Sequence, residues 1–242
     1  MEAAPSHAAE KSRPPLTRER VLRAAVDLAD TRGIDSLTMR NLGHELGVEA
    51  MSLYNHVANK EAVLDGLVEV VVGEITAAVD EVESQSGATG WQDVMRARIL
   101  TAREVLLRHR WAPGVLESRT DIPPSLVPYY DSLLKLMREG GFSLDLAHHA
   151  MHALGTRMLG FTRELFVTDD KEVDPEVAAI MFQQMAGRFP YLTELMQVVS
   201  HDAGSTLGSG CDDQFEFEFG LDLLLDGLER LRVGAWRLSD GS

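Results

Sequence analysis

Apolar residues return at intervals of three and four along nearly the whole chain, and no run of β-branched residues alternates convincingly with polar ones. That period belongs to helices with one buried face, so the expected fold class is all-α. Thr17 is placed to cap a first helix whose apolar positions Val21, Leu22, Ala25, Leu28 and Ala29 run to a stop at Gly33. Thr38 caps a short second helix with Met39, Leu42 and Leu46 on one face, ended at Gly47. A third is expected from Ala50 to His56 with Leu53 inward, and Asn59 caps a long fourth through Val63, Leu64, Leu67, Val70, Val71 and Ile75.

Ser84, Gly87 and Gly90 interrupt this pattern. Helices follow over Trp91–His109, Ser125–Arg138 and Leu144–Val167, separated by turns at Pro113, at Pro123-Pro124 and at Gly140-Gly141. Shorter helices start at Pro175 and Pro190, and the Gly/Ser stretch Ala203–Gly210 reads as a mobile loop. A last helix, Asp213–Arg232, sets Phe215, Phe219, Leu223 and Leu224 on a broad face with Leu228 and Leu231. The expected division is a tail over 1–15, a helix-turn-helix head over 16–62, a helical body over 63–236 and a C-terminal tail over 237–242.

The chain is 45% hydrophobic and 25% charged over 242 residues, a balance that supports a packed core and excludes disorder throughout. Its longest apolar runs, such as Leu67–Gly73 interrupted by Glu69, fall short of the ~20 residues that span a bilayer, so no membrane partner is expected. Met1–Pro15 is rich in Ala, Pro and charge and lacks the apolar stretch of a secretory signal. Cys211 is the single cysteine, which excludes an internal disulfide; together these features predict a cytoplasmic protein.

The net charge of −15 opposes nucleic acid until its distribution is considered. Residues 1–60 carry eight basic and eight acidic side chains, whereas residues 61–242 carry 15 and 30. A neutral head joined to an acidic body is compatible with DNA at one end. Two short helices joined by a glycine turn can lay the second in the major groove. Leu53 and Val57 anchor that helix and leave Ala50, Met51, Ser52, Tyr54, Asn55 and His56 outward. Ala50 and Met51 suit close approach to base edges and thymine methyls, and Ser52 and Asn55 supply hydrogen bonds. Thr38, Arg40, Tyr54, His56 and Lys60 are placed for phosphates, Lys60 beside helix N-terminal amides.

The string LTMRNLGHELGVEAMSLYNHVANKEAVLDGLV from Leu37 resembles the N-terminal domain of TetR-family repressors. The likeness rests on Leu37-Thr38, Leu42, Leu46-Gly47-Val48, Leu53-Tyr54-Asn55-His56-Val57 and Asn59-Lys60. Trp91-Gln92-Asp93, Gly141-Phe142-Ser143-Leu144 and Gly160 extend it into a body resembling the tetracycline-repressor type. The resemblance implies a homodimeric repressor that binds a palindromic double-stranded DNA operator and is released by a small-molecule effector, apolar or amphipathic. It implies a ligand pocket at Arg98, Ala102, Leu116, Tyr130, Leu133, Met137, Met151, His152 and Thr156. It also implies a four-helix dimer interface in which the last helix, through Phe219, Leu223, Leu224 and Leu228, pairs with the helix from Leu144.

Tetracycline repressors place a magnesium-binding His in the stretch matching Trp111–Arg119, where this chain has Leu116. A magnesium-chelated tetracycline is therefore not the expected effector. His148 and His152 lie one turn apart with Glu164 beyond, too sparse a set for a metal site, and neither metal nor cofactor is expected. The chain shows no nucleophile elbow and no phosphate-cradling glycine loop, so an enzyme is not expected. The alternatives are a transcriptional activator and a protein-interaction module of the same fold.

Overall fold

The computed structural model describes residues 15–85, 87, 90–119, 121–160, 180, 183–184, 186–199 and 213–236. The tails, apart from Pro15, lie outside the described residues, as do Cys211, Glu164, the loop Ala203–Gly210, most of the helix from Pro175 and the stretch 161–167. The described elements are helical: α1 Arg18–Arg32, α2 Met39–Leu46, α3 Ala50–Leu53, α4 Lys60–Gln85, α5 Trp91–Arg108, α6 Ala112–Glu117, α7 Leu126–Glu139, α8 Leu144–Gly160, α9 Pro190–Val199 and α10 Asp213–Val233.

Two compact units form, one from residues 1–77 and 104–128 and the other from 78–103 and 129–242. In the first, Thr17 Oγ1 accepts from Arg20 N at 3.2 Å to start α1, and Gly33 ends it at φ 79°. Thr38 Oγ1 accepts from Asn41 N at 3.1 Å to start α2. Asn59 Oδ1 accepts from Ala62 N at 2.8 Å at the start of α4. These caps satisfy amide donors that the first helical turn leaves without partners, each contributing about 1 kcal/mol. Val21, Ala25, Leu28, Leu37, Leu42, Leu53, Val63 and Leu67 are buried in this unit's core.

Pro113, expected to mark a turn, sits in the first turn of α6, where its missing N–H costs nothing. Arg119, just past α6, donates from Nη1 to Glu61 at 2.9 Å and Asp65 at 3.0 Å, both in the first two turns of α4. Just past the C-terminal end of α5, His109 lies between Asp30 of α1 and Glu74 of α4.

In the second unit, Trp91 meets Phe142 edge-on at 4.6 Å and donates from Nε1 to Glu229 at 2.8 Å. Hydrogen bonds from Arg232 and Trp91 hold the Glu229 carboxyl down at about 2. Arg96 joins α5 to α10 through Glu218 at 2.6 Å and Asp222 at 2.7 Å. Helices α8 and α10 pack together, α8 burying Leu146, Ala147, Ala150 and Leu154, and α10 burying Phe217, Leu221, Leu225 and Leu228. No described helix is long and apolar enough to cross a membrane.

Candidate nucleic-acid interface

The α2–α3 corner is built around two glycines. Gly47 ends α2 in the left-handed region, φ 67° and ψ 36°, a conformation that penalises a side chain. Gly43 lets α3 close on α2: a Cβ there would lie 2.9 Å from Val48 O, 3.1 Å from Ala50 N and 3.2 Å from Ala50 Cα. All three are backbone atoms, so the contact cannot be relieved by turning a side chain. Gly43 carries one local signal, a glycine inside a short amphipathic helix.

Leu53 and Val57 anchor the second helix of this corner inward, at 0% and 4% exposure, with Leu42 and Leu46 beneath. Helix α3 is shorter than expected. It ends at Leu53 and tightens into a turn, with His56 N and Val57 N both donating to Leu53 O at 2.9 and 3.0 Å. Three consecutive polar residues therefore ride on one anchored turn rather than on a second full turn of helix. Met51 and Tyr54 are 72% and 44% exposed, which leaves both side chains open to a partner. Asn55, Thr38, Arg40 and Lys60 are exposed, while Ala50, Ser52 and His56 are half-buried. Lys60 occupies the first position of α4, where helix amides attract anions.

The residues expected to line a ligand pocket divide into groups. Arg98 and Ala102 on α5, and Tyr130, Leu133 and Met137 on α7, lie in the second unit. Ala102, Leu133 and Met137 are buried, and Tyr130 is half-buried, its phenol pushed up by burial. Arg98 pairs with both carboxylate oxygens of Glu83 and donates from Nη1 to Ser132 Oγ at 3.2 Å, which joins α5 to α7. Beside it, burial pushes the Tyr129 phenol up to about 12. On α8, Met151 is half-buried and His152 and Thr156 are exposed. Leu116, half-buried on α6, lies in the first unit. Its side chain offers no donor atom for magnesium. His148 and His152 stack edge-on at 4.7 Å, and among the described residues no group of three or more His, Cys, Asp or Glu is placed to hold a metal.

The outer face of α10 carries Phe215, Phe219 and Leu223, spaced by four and 56–63% exposed, while Leu224 is half-buried. Leu228 is 7% exposed and already covered by its own chain, which leaves it little surface for a second copy.

Residues 21–67 match the family model of bacterial regulatory proteins, tetR family, and residues 83–232 match that of the tetracyclin repressor-like C-terminal domain. The chain belongs to the TetR family. The HTH-type transcriptional repressor DrrR1 of Streptomyces coeruleorubidus is 29% identical over 90% of this chain and 79% of its own length. The tetracycline repressor protein class D of Escherichia coli is 32% identical, covering 88% of this chain and 89% of that protein. A crystal structure of a possible TetR family transcriptional regulator from Streptomyces coelicolor A3(2) is 30% identical with a TM-score of 0.66, over 88% of this chain and 99% of that one. The first match falls on α2 and α3 and so identifies the corner described above as the family's helix-turn-helix.

Proposed function

We propose that this TetR-family chain is a homodimeric repressor whose α2–α3 corner reads a palindromic operator and whose second unit binds a small-molecule effector that releases the DNA. The carrying observation is the corner itself: Leu53 and Val57 fix a short helix whose Met51, Tyr54 and Asn55 face solvent, beside Thr38, Arg40 and Lys60. Such a surface combines apolar contact for thymine methyls, amide donors for base edges and cations for phosphates. The relatives named as repressors support the sign of regulation. Such a protein acts in the cytoplasm, where its DNA is.

Base contacts fall to Ala50, Met51, Ser52 and Asn55, and phosphate contacts to Thr38, Arg40, Tyr54, His56 and Lys60. The effector is apolar or amphipathic, because buried Ala102, Leu133 and Met137 supply aliphatic wall and Tyr130 and Arg98 a few polar atoms. Effector binding favours one separation of the two heads, a population shift carried along α4, whose residues run continuously from the first unit into the second.

Selection of duplexes from a random pool by the full chain is expected to enrich a palindrome with half-sites roughly 10 base pairs apart. Absence of any enriched sequence would overturn the reading. A compound screen should then yield a ligand that lowers affinity for that duplex, and unchanged affinity with every bound compound sinks the effector half. Lys60→Ala should weaken binding to all duplexes alike and make the slope of log affinity against log salt shallower by about one. A salt slope identical to wild type would remove Lys60 from the phosphate-binding set.

A further inference from the structure

The end of α5 holds a charge arrangement that operator reading does not itself require. His109 Nδ1 lies 2.9 and 3.0 Å from the two carboxylate oxygens of Asp30 on α1, and its Nε2 lies 3.1 Å from Glu74 Oε2 on α4. The ring is nearly closed off, with the side chain 7% exposed. Trp111 Nε1 donates to Asp30 Oδ1 at 2.6 Å, and Arg108 Nη2 donates to Glu74 Oε2 at 3.4 Å. Asp30, Arg108, Arg110 and Trp111 line a solvent-open hollow of about 320 Å³ beside this cluster. The charged groups around the ring are thus Asp30 from α1, Glu74 from α4, Arg108 from α5 and, across the hollow, Arg110.

An ionised carboxylate only accepts hydrogen bonds, so a ring facing one at each nitrogen satisfies both only when each nitrogen carries a proton. The imidazolium places one cation between two anions, and Arg108 supplies a second. Loss of either ring proton turns a lone pair toward a carboxylate and breaks the bridge to α1 or to α4. Because α1 packs against α2, its attachment to α4, to which Arg18 and Glu69 also contribute at 2.8 Å, bears on where the α2–α3 corner stands.

We propose that His109 is a positioning residue for operator binding, its doubly protonated ring pinning α1 to α4 and its deprotonation loosening the head. The operator part rests on the function proposed above, whereas the pin itself does not. The pin holds only while each ring nitrogen carries a proton, so pH is the natural probe. Glu74→Gln gives the decisive variant. Glu74 is 40% exposed, which makes the change tolerable, and a glutamine amide can donate to the bare Nε2 of the neutral ring while still accepting from Arg108. That variant keeps the joint closed without the second proton.

Amide hydrogen exchange across Arg18–Arg32 should be followed in the DNA-free full chain at about pH 6 and about pH 8, after correction for the intrinsic rates. Protection of α1 should fall at the higher pH in wild type and stay constant in Glu74→Gln. Affinity for the palindromic duplex selected from the random pool should drop about tenfold over the same interval in wild type and less than about twofold in the variant. A flat wild-type response in α1 exchange, or the same response in Glu74→Gln as in wild type, overturns the pin. Failure to bind any duplex at either pH overturns the operator reading instead, and α1 exchange still decides the role of His109.

Discussion

Replacing Gly43 by valine is expected to abolish specific DNA binding, lowering affinity for the selected operator by about 100-fold or more, equivalent to about 3 kcal/mol. The Cβ alone would stand 2.9 Å from Val48 O and 3.1 Å from Ala50 N, so the backbone of the α2–α3 turn must move. Even alanine separates two physical effects here. Helix propensity favours Gly→Ala by up to about 1 kcal/mol, whereas overpacking against a fixed backbone costs about 1–3 kcal/mol. The clash should win, so Gly43→Ala should destabilise the head. Gly73 of α4, where a Cβ meets nothing within 4 Å, supplies the control, and Gly73→Ala should stabilise. Thermal unfolding of both alanine variants, with a binding titration of Gly43→Val, checks the pair. Wild-type affinity in Gly43→Val would mean that α2 and α3 do not approach as closely as the structure places them.

On the proposed homodimer, the double change Phe219→Asp with Leu223→Asp should leave a monomer and, with it, lower operator affinity by about 100-fold or more, because a single head loses the second half-site. Both side chains are more than half exposed in the chain, so the substitutions leave its core untouched. Two carboxylates forced into an apolar interface would lose hydration without gaining partners. Sedimentation equilibrium gives the mass and circular dichroism the retained helicity. A variant that remains dimeric would move the interface elsewhere. Leu228→Ala tests the opposite side of α10. It should leave any dimer interface intact but cost the fold about 2–5 kcal/mol through the cavity it opens.

The head and α10 also show where sequence is and is not sufficient. The starts of α1, α2 and α4 are legible because capping is local: Thr17, Thr38 and Asn59 each bond an amide three residues on. Gly33 and Gly47 stop their helices for an equally local reason. The inward face of α10 is not legible. It is apolar on two sides, and the period that selects Phe215, Phe219 and Leu223 fits Phe217, Leu221 and Leu225 as well. Packing decides that the second set is buried and the first exposed. Proline is a misleading local signal at Pro113, since the same residue that ends one helix is welcome in the first turn of the next.

The exposed turn after α3 is traceable because its anchors, Leu53 and Val57, bracket the three residues between them. The pin at His109 is not. Its partners Asp30 and Glu74 lie 79 and 35 residues away, and nothing in the residues flanking a histidine announces a carboxylate at each nitrogen. Likewise, the family resemblance offers Arg98 as a pocket residue, and nothing beside it in the sequence announces that Glu83 and Ser132 bond its guanidinium. A ligand anion at that position has to displace Glu83.

The three tryptophans give this molecule its own optics. Trp91 lies edge-on to Phe142 inside the second unit, Trp111 sits 5.8 Å from the His109 ring, and Trp236 rests 5.4 Å from His149 near the end of the described chain. Imidazolium quenches indole emission more strongly than imidazole does, so a chain retaining Trp111 alone would signal the state of the α1–α4 joint by its brightness. Fluorescence from one native side chain would then follow the joint in real time, on the bare protein and on DNA, with no dye attached.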